Sequence, residues 1–395
     1  MAFYQRIDTL LQRFLEEKIP GCALQIVQRG KTIYEGYAGY SDVEEKVPIT
    51  DTSLFRLASM SKIPLYTLMM ILYERGRFLM DDPISQYLPE WRESRKFVKG
   101  PDGELAIVPT DRPITMRDVL TMRCGLPYCN SKLPSNDPTV RSMQACMKPL
   151  WEKGYFTVQE HIAAMSKAVL AFEPGTHWMY GFSSEIAAAL VEVMTGMPVD
   201  DAFRTYLFDP LGMDNTRSRF FGDAQERMVK LYSWDENHRL VPTTVPFDEK
   251  HIPGPEHETG WARLFSTAND FTKIMQMLAN GGVYDGVRIM GRKTIDLMRT
   301  NALTVPQMEE LRLRDPFSQG YGYGCGVRTL IDKQKAGSNG SLGAFGWTGG
   351  FGTWCEADPE EGVSIVYMHN MIHRVPAEER FQHLRVRSAA YGCVE

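Results

Sequence analysis

Residues 57–62 are Leu57-Ala58-Ser59-Met60-Ser61-Lys62, a stretch that places a serine and a lysine three positions apart. Apolar residues then recur with helical spacing from Leu65 to Tyr73, which predicts a helix that begins here. Residues three apart share one face of a helix, so Ser59 and Lys62 are predicted to point the same way. A desolvated lysine is a base that can activate a serine hydroxyl. The alternative is that Ser59 caps the helix and Lys62 is a solvated charge.

The composition is that of an ordinary soluble globular protein with a sizeable core. The chain has 395 residues, of which 43% are hydrophobic and 24% charged, and its formal net charge is -5. This balance, without a basic run, argues against nucleic-acid binding. Met1 to Pro20 has the pattern of an amphipathic helix and lacks the apolar core of a signal peptide. We therefore expect a cytoplasmic protein that does not contact a membrane.

The cysteines and histidines predict neither a metal site nor a cofactor. The seven cysteines are odd in number and include no C-x-x-C pair, and the eight histidines include no H-E-x-x-H. Free thiols in a reducing compartment are the expected state.

Strand-like patterns gather at the two ends of the chain, and helical patterns occupy its middle. Cys22 to Gln28 and Thr32 to Tyr37 form a hairpin signal, while Gly343 to Glu356 and Gly362 to His369 indicate late strands. We expect one sheet built from residues 1–60 and 260–395, with a mainly helical subdomain over residues 61–259, all forming one catalytic unit.

Several segments between these elements are predicted to be irregular, and the last one helical. Lys96 to Pro113 and Phe208 to Met213 are interpreted as a surface excursion and a tight turn. Cys124 to Pro149 and Val229 to Pro255 are predicted to be long loops that shape the pocket. Gln382 to Tyr391 is predicted to be the final helix.

Two further stretches carry polar or glycine residues in places that suit a site. Tyr180 lies in Trp178-Met179-Tyr180-Gly181-Phe182-Ser183, just before a helical pattern. Thr348 lies in Gly346-Trp347-Thr348-Gly349-Gly350-Phe351-Gly352, and glycine in a strand often marks where a ligand approaches the backbone. Taken alone, Tyr180 is better explained as an aromatic side chain packed beside Trp178.

Together these stretches resemble the serine β-lactamase/penicillin-binding-protein superfamily, in the class C branch that includes the family VIII carboxylesterases. The resemblance spans nearly the whole chain. Besides the three stretches above, its pieces are Ile114 to Leu120 with Gly125-Leu126, Pro174 to Thr176, and Pro210 to Met213. It implies an α/β protein of the α+β type, in which helices flank an antiparallel sheet and a helical subdomain is inserted.

The resemblance also implies roles for individual residues. Ser59 would be the nucleophile, Lys62 would accept or hold its proton, and Tyr180 would act as general base and return the proton to the leaving group. The backbone N–H groups of Ser59 and Gly350 would form the oxyanion hole. The residues expected to bind substrate are Tyr128, Phe182, Trp347, Thr348 and Gly349.

Two departures from the family motifs affect the expected substrate. Phe182 replaces the asparagine of Y-x-N, and Trp347 replaces the cation of K-T-G or H-T-G. An indole cannot pair with a carboxylate, so β-lactams and peptides are disfavoured. Family VIII esterases have tryptophan at this motif, and the apolar faces favour short neutral acyl groups.

We therefore expect a serine carboxylesterase that cleaves small esters through an acyl-enzyme on Ser59. The alternatives are an acyltransferase using the same acyl-enzyme, and a β-lactamase, D-alanyl peptidase or D-amino-acid amidase. A non-catalytic binding protein is disfavoured because it would be expected to lose Ser59, Lys62 or Tyr180, and all three are present.

Overall fold

The computed structural model describes residues 3–130, 133–245, 248–252, 263–372 and 382–394. The helices are α1 (Phe3–Glu16), α2 (Lys62–Glu74), α3 (Met116–Leu120), α4 (Pro138–Lys153), α5 (Val158–Met165), α6 (Ser183–Thr195), α7 (Val199–Phe203), α8 (Asp209–Leu211), α9 (Ala268–Ala279), α10 (Arg292–Arg299), α11 (Val305–Arg314), α12 (Lys333–Ala336) and α13 (Gln382–Tyr391).

Most of the strands are short and form pairs with their neighbours. They are β1 (Gly21–Gln28), β2 (Lys31–Asp42), β3 (Val47–Pro48), β4 (Phe55–Arg56), β5 (Arg95–Lys99), β6 (Leu105–Pro109), β7 (Val169–Leu170), β8 (Leu231–Trp234), β9 (Leu240–Thr243), β10 (Phe265–Ser266), β11 (Val283–Tyr284), β12 (Val287–Arg288), β13 (Tyr321–Tyr323), β14 (Arg328–Leu330), β15 (Phe345–Thr348), β16 (Trp354–Asp358), β17 (Val363–Met368) and β18 (Met371–Ile372).

An antiparallel sheet of eight strands organises the molecule, in the order β13-β14-β15-β16-β17-β1-β2-β3. The first strand of the chain pairs with both β2 and β17, for example Ile26 with Ile365. Both ends of the chain therefore contribute to one sheet, which confirms the predicted α/β architecture. The division at residues 60 and 260 stays a prediction.

Helices cover both faces of the central strands. Every residue of β1, β16 and β17 is buried, as expected for strands packed on both sides. On one face α1 and α13 share an apolar cluster with the sheet, in which Phe14 contacts Tyr367 at a ring-centroid distance of 5.9 Å. On the other face α9 packs between the sheet and the larger core, which extends into the helical subdomain.

The helix α2 crosses the middle of that larger core. All of its residues from Lys62 to Leu72 are buried, so the amphipathic pattern describes only the most apolar side of a helix that is enclosed all round. It ends before Gly76, whose φ of 69° gives the left-handed conformation that favours glycine. The predicted helix is confirmed, and its first residue is the lysine of the S-x-x-K pair.

The prediction of a long loop from Cys124 to Pro149 is wrong in its second half, because α4 begins at Pro138. The Asp137 side chain accepts hydrogen bonds from the N–H groups of Thr139 and Val140 and so caps this helix. Proline suits the first turn, whereas Pro149, inside the same helix, obscured the helical pattern.

Three other segments are also more regular than predicted. Lys96 to Pro113 includes most of the hairpin β5–β6, and the tight turn predicted at 208–213 contains α8, which ends at the left-handed Gly212. The predicted loop Val229 to Pro255 contains the hairpin β8–β9, with residues 246–247 and 253–255 outside the described ranges. In the described part of the chain, no helix is both long and apolar enough to cross a membrane.

Candidate active site

Ser59 lies on a tight 3-10 turn, Ala58 to Ser61, that leads directly into α2. Ala58 has a φ of 46°, a left-handed conformation that costs a non-glycine residue about 1–2 kcal/mol. The turn is held by Leu57, whose N–H donates to the carbonyl of Leu264 at 2.9 Å. This backbone leaves Ser59 partly exposed to a cavity while Lys62 is completely buried.

The side-chain nitrogen of Lys62 lies behind the serine, within reach of two hydroxyl groups. Nζ is 3.4 Å from Ser59 Oγ and 3.2 Å from Tyr128 Oη. It also lies 4.7 Å from the centroid of the Tyr180 ring, over the ring face. A buried polar group needs such partners to offset its lost hydration. The predicted proximity of Ser59 and Lys62 is thus present, and both are adjacent to two tyrosines.

Tyr128 contacts the lysine rather than the cavity. Although 37% of its surface is exposed, the hydroxyl end is turned inward onto Lys62, and burial raises the pKa of this phenol well above its usual value. Tyr128 therefore stays neutral and is suited to orient Lys62. It is not among the described residues that line the cavity, and its role in binding substrate stays a prediction.

Tyr180 lies at the cavity wall and is surrounded by aromatic rings. Its hydroxyl oxygen accepts a hydrogen bond from Trp347 Nε1 at 3.1 Å, and the two rings lie 5.4 Å apart between centroids. Trp178 stacks on it at 6.2 Å, and Tyr128 meets it edge-on at 5.6 Å. Trp347 was predicted to bind substrate, and the structure adds a contact that the sequence gave no sign of.

Phe182, another residue predicted to bind substrate, lies outside the cavity lining. Its ring packs edge-on against Tyr128 at 4.9 Å and lies next to the buried His161. Like Tyr128, it is absent from the cavity lining. Phe182 thus supports the ring of Tyr128, which in turn contacts Lys62.

The third motif follows the end of β15 in a glycine-rich turn. Gly349 donates its N–H to the carbonyl of Thr353 at 2.7 Å, and Thr353 Oγ1 donates to the carbonyl of Leu57 at 3.1 Å. A Cβ on Gly349 would lie 2.1 Å from Thr353 Oγ1, so glycine is needed here. The same hydrogen bonds connect this turn to the residue that begins the serine turn.

Gly350 faces open space, since a Cβ built on it meets no atom within 4 Å. Ser59 is the second residue of its 3-10 turn, where backbone N–H groups have no acceptor within the helix. Both residues line the cavity. The arrangement suits the predicted pair of oxyanion donors, which stays a prediction.

The cavity has a volume of about 480 Å³, a size suited to small molecules. Its lining residues are Ser59, Trp178, Tyr180, Arg314, Asp315, Pro316, Phe317, Arg328, Trp347, Thr348, Gly349, Gly350, Gly352, Thr353, Ile372 and His383. The sequence interpretation missed the contribution of α11 and the residues after it. A signal for this helix exists, because Thr304 and Gln307 form a capping box at its start.

The charges of the lining are partly paired. Arg328, which is 4% exposed, contacts Asp315 at 2.9 Å, and Asp315 also accepts a hydrogen bond from Ser318 Oγ at 2.8 Å. Burial, followed by the charge of Arg328, lowers the pKa of His383 well below its usual value. No group of side chains that could hold a metal ion occurs within the described ranges.

Nearly the whole chain is similar to known proteins. Residues 7–388 match the model of the family described as Beta-lactamase. The chain is 26% identical over 375 residues to the esterase EstB of Burkholderia gladioli, with 92% of this chain and 90% of that protein covered.

Two solved structures share the fold. The first is EstCE1, described as a hydrolase with promiscuous acyltransferase activity, with a TM-score of 0.79, 24% identity and coverage of 99% and 98% of the two chains. The second is the simvastatin synthase LovD of Aspergillus terreus, with a TM-score of 0.82, 19% identity and the same coverage.

Proposed function

We propose that this chain, which belongs to the Beta-lactamase family, is a serine hydrolase that cleaves small carboxylic esters through an acyl-enzyme on Ser59. The observation that carries the proposal is the contact of Ser59 Oγ with the buried Lys62 Nζ at 3.4 Å, beside Tyr180 and at the wall of the cavity. A nucleophile, a proton acceptor and a second acid–base group are the parts that acyl transfer requires.

In this proposal Ser59 Oγ attacks the ester carbonyl carbon, and its proton passes to the Lys62/Tyr180 pair. The backbone N–H groups of Ser59 and Gly350 stabilise the negative oxygen, an effect typically of about 3 kcal/mol per donor. Tyr180 then protonates the departing alcohol, which leaves an acyl-enzyme. Water attacks the acyl carbonyl carbon as it loses a proton to the same pair. The bond to Ser59 Oγ then breaks, Ser59 regains that proton, and the acid is released.

The contact between Trp347 and Tyr180 supports the role of the tyrosine. The indole N–H donates to the phenol oxygen at 3.1 Å, so it stabilises that oxygen most when it carries negative charge. The third motif of this chain thus offers Tyr180 a neutral donor instead of a cation.

The names of two relatives support ester chemistry. EstB is an esterase at 26% identity, and EstCE1 is a hydrolase that also transfers acyl groups. Acyl transfer to an alcohol or amine is the second candidate, because it needs the same acyl-enzyme and differs only in which nucleophile enters the cavity.

The test is the intact mass of the protein after incubation with a fluorophosphonate and with p-nitrophenyl butyrate. We expect a single adduct that maps to Ser59 and turnover of the ester. Ser59→Ala should lose both while keeping its thermal unfolding midpoint. A Ser59→Ala variant that retains more than a few per cent of the wild-type kcat would show that Ser59 is not the nucleophile.

A further inference from the structure

An arginine outside all the recognised motifs lies at the wall of the cavity. Arg314 is the last residue of α11, and its guanidinium carbon is 5.9 Å from the centroid of the Tyr180 ring. The side chain is exposed and lines the same cavity as Ser59. Within the described part of the chain, Arg314 forms no ion pair with a carboxylate.

The carboxylates closest to it in sequence already have other partners. Asp315 contacts Arg328 at 2.9 Å and Ser318 at 2.8 Å. Glu310, one helical turn before Arg314, accepts a hydrogen bond from the N–H of Trp178 at 2.7 Å and contacts the imidazole of His177 at 2.5 Å. The positive charge of Arg314 is therefore left facing the cavity.

The charges on the described part of the cavity wall sum to a positive value. Arg314 and Arg328 contribute two positive charges and Asp315 one negative charge, so the difference is +1. His383 adds none near neutral pH, because its burial lowers the pKa of the imidazole well below its usual value. An anionic group that enters this cavity thus meets a net favourable field.

Helix stabilisation alone does not explain the position of Arg314. A cation in the last turn of a helix offsets the negative end of its dipole, but Arg312 in the same turn already does so and pairs with Glu309. Arg312 is not among the cavity residues. Of the two arginines in this turn, Arg314 therefore lines the cavity, where it can contact a ligand, and Arg312 does not.

We propose that Arg314 forms a subsite for a carboxylate carried by the substrate, so that the ester cleaved at Ser59 bears an acidic group. This rests on the proposed ester hydrolysis and names its substrate class. A guanidinium group binds a carboxylate through two parallel hydrogen bonds. The apolar faces of Trp178, Trp347 and Phe317 lie along the same cavity and suit the chain that connects ester and acid.

This subsite revises an expectation drawn from the sequence. Trp347 removes the cation from the third motif, which predicted a preference for neutral acyl groups. Arg314 supplies a cation from a different segment, at the end of a helix that the sequence interpretation missed. The position of the charge in the cavity, and not only its presence, then selects the substrate.

The experiment compares two p-nitrophenyl esters that differ only in charge. Mono(p-nitrophenyl) glutarate carries a free carboxylate, and its methyl ester does not. The acid-to-ester ratio of kcat/KM should fall about three- to tenfold in Arg314→Gln and be mostly retained in Arg314→Lys, as expected for one partly exposed charge pair. Arg312→Gln, the matched control on the same helical turn, should keep the wild-type ratio.

Two further measurements determine which side of the ester carries the acid and whether the preference for the acid is electrostatic. A second pair of substrates, 3-carboxy-4-nitrophenyl butyrate and p-nitrophenyl butyrate, places the carboxylate on the leaving group. If the acid-to-neutral ratio of kcat/KM depends on Arg314 only in this second pair, the acid lies on the alcohol side of the ester. The wild-type preference should also weaken as NaCl rises from about 20 mM to about 500 mM, since salt screens exposed charges.

An unchanged ratio in Arg314→Gln with both pairs of substrates would overturn the subsite. If no ester is cleaved, the proposed hydrolysis fails, and calorimetry of Ser59→Ala with methyl hydrogen glutarate and with dimethyl glutarate tests the subsite without turnover. Tighter binding of the acid that is lost in Arg314→Gln supports it, and equal binding of the two ligands refutes it.

Discussion

Replacing Trp347 with phenylalanine isolates a single hydrogen bond in the site. The substitution removes the indole N–H that donates to Tyr180 Oη at 3.1 Å, but keeps an aromatic ring against Tyr180 and Tyr323. A hydrogen bond between neutral groups is worth about 0.5–1.5 kcal/mol, and one to a charged group about 1.5–3 kcal/mol. These ranges correspond to losses in rate of roughly 2- to 12-fold and roughly 10- to 150-fold.

We expect the larger loss in kcat/KM for p-nitrophenyl butyrate, because in the proposed mechanism Tyr180 must carry negative charge on Oη before it can accept the serine proton. The assay is a double-mutant cycle with Tyr180→Phe. In the Tyr180→Phe background the oxygen is absent, so Trp347→Phe should change the rate by no more than about twofold. Circular dichroism and thermal unfolding of each variant establish that the fold is kept.

Trp178→Phe is the matched control. Trp178 also stacks on Tyr180, at 6.2 Å, but its Nε1 has no hydrogen-bond acceptor among the described residues. Its replacement removes a similar indole from the same cavity without removing a donor to Tyr180. Equal losses in Trp178→Phe and Trp347→Phe, or a loss in Trp347→Phe that persists in the Tyr180→Phe background, would refute the reasoning.

The other predictions concern the lysine, its partner, the substrate and the response to acid. Lys62→Met should lower kcat by several orders of magnitude. Tyr128→Phe loses the 3.2 Å contact with Lys62 but no proton-transfer group, so it should lower kcat only about tenfold. Similar losses in the two variants would show that Tyr128 transfers protons. One preparation should have a higher kcat/KM for p-nitrophenyl butyrate than for nitrocefin, and a ratio favouring nitrocefin would refute the esterase proposal. Burial lowers the pKa of His383 in the folded state, so below about pH 6.5 the unfolded chain binds more protons than the folded one. Lowering the pH should therefore reduce the free energy of unfolding by up to about 1.4 kcal/mol per pH unit. His383→Gln should reduce this slope in urea unfolding between about pH 6.5 and pH 5; a slope identical to that of wild type would show that His383 titrates alike in both states.

The main sheet was predictable because its strands have strong local signals. The hairpin of β1 and β2 and the buried run of β17 are visible as apolar segments bounded by turn residues. The helix α4 was not predicted, since Pro149 lies inside it and its start signal, Asp137-Pro138, lies in a stretch rich in turn residues. The error came from giving the weak periodicity and the turn residues of this stretch more weight than the cap at the start of the helix.

The proximity of Ser59 and Lys62 was predictable for a different reason. Ser59 and Lys62 are joined by helical geometry, so their contact follows from spacing alone. Tyr180 and Trp347 come from segments 167 positions apart, and the sequence carries no information about which atom of one meets which atom of the other. The resemblance placed both in one site, but only the fold shows that the indole N–H points at the phenol oxygen.

The same limit applies to a substrate preference drawn from motifs alone. A motif records the charge at one position of the cavity, whereas binding depends on the sum of the charges that reach it. Asp315 follows α11 and Arg328 lies in β14, and the fold brings their side chains to within 2.9 Å. Their pairing leaves the charge of Arg314 uncompensated within the described part of the cavity wall, so the proposed preference for an acidic ester depends on a tertiary contact that no short stretch of the sequence contains.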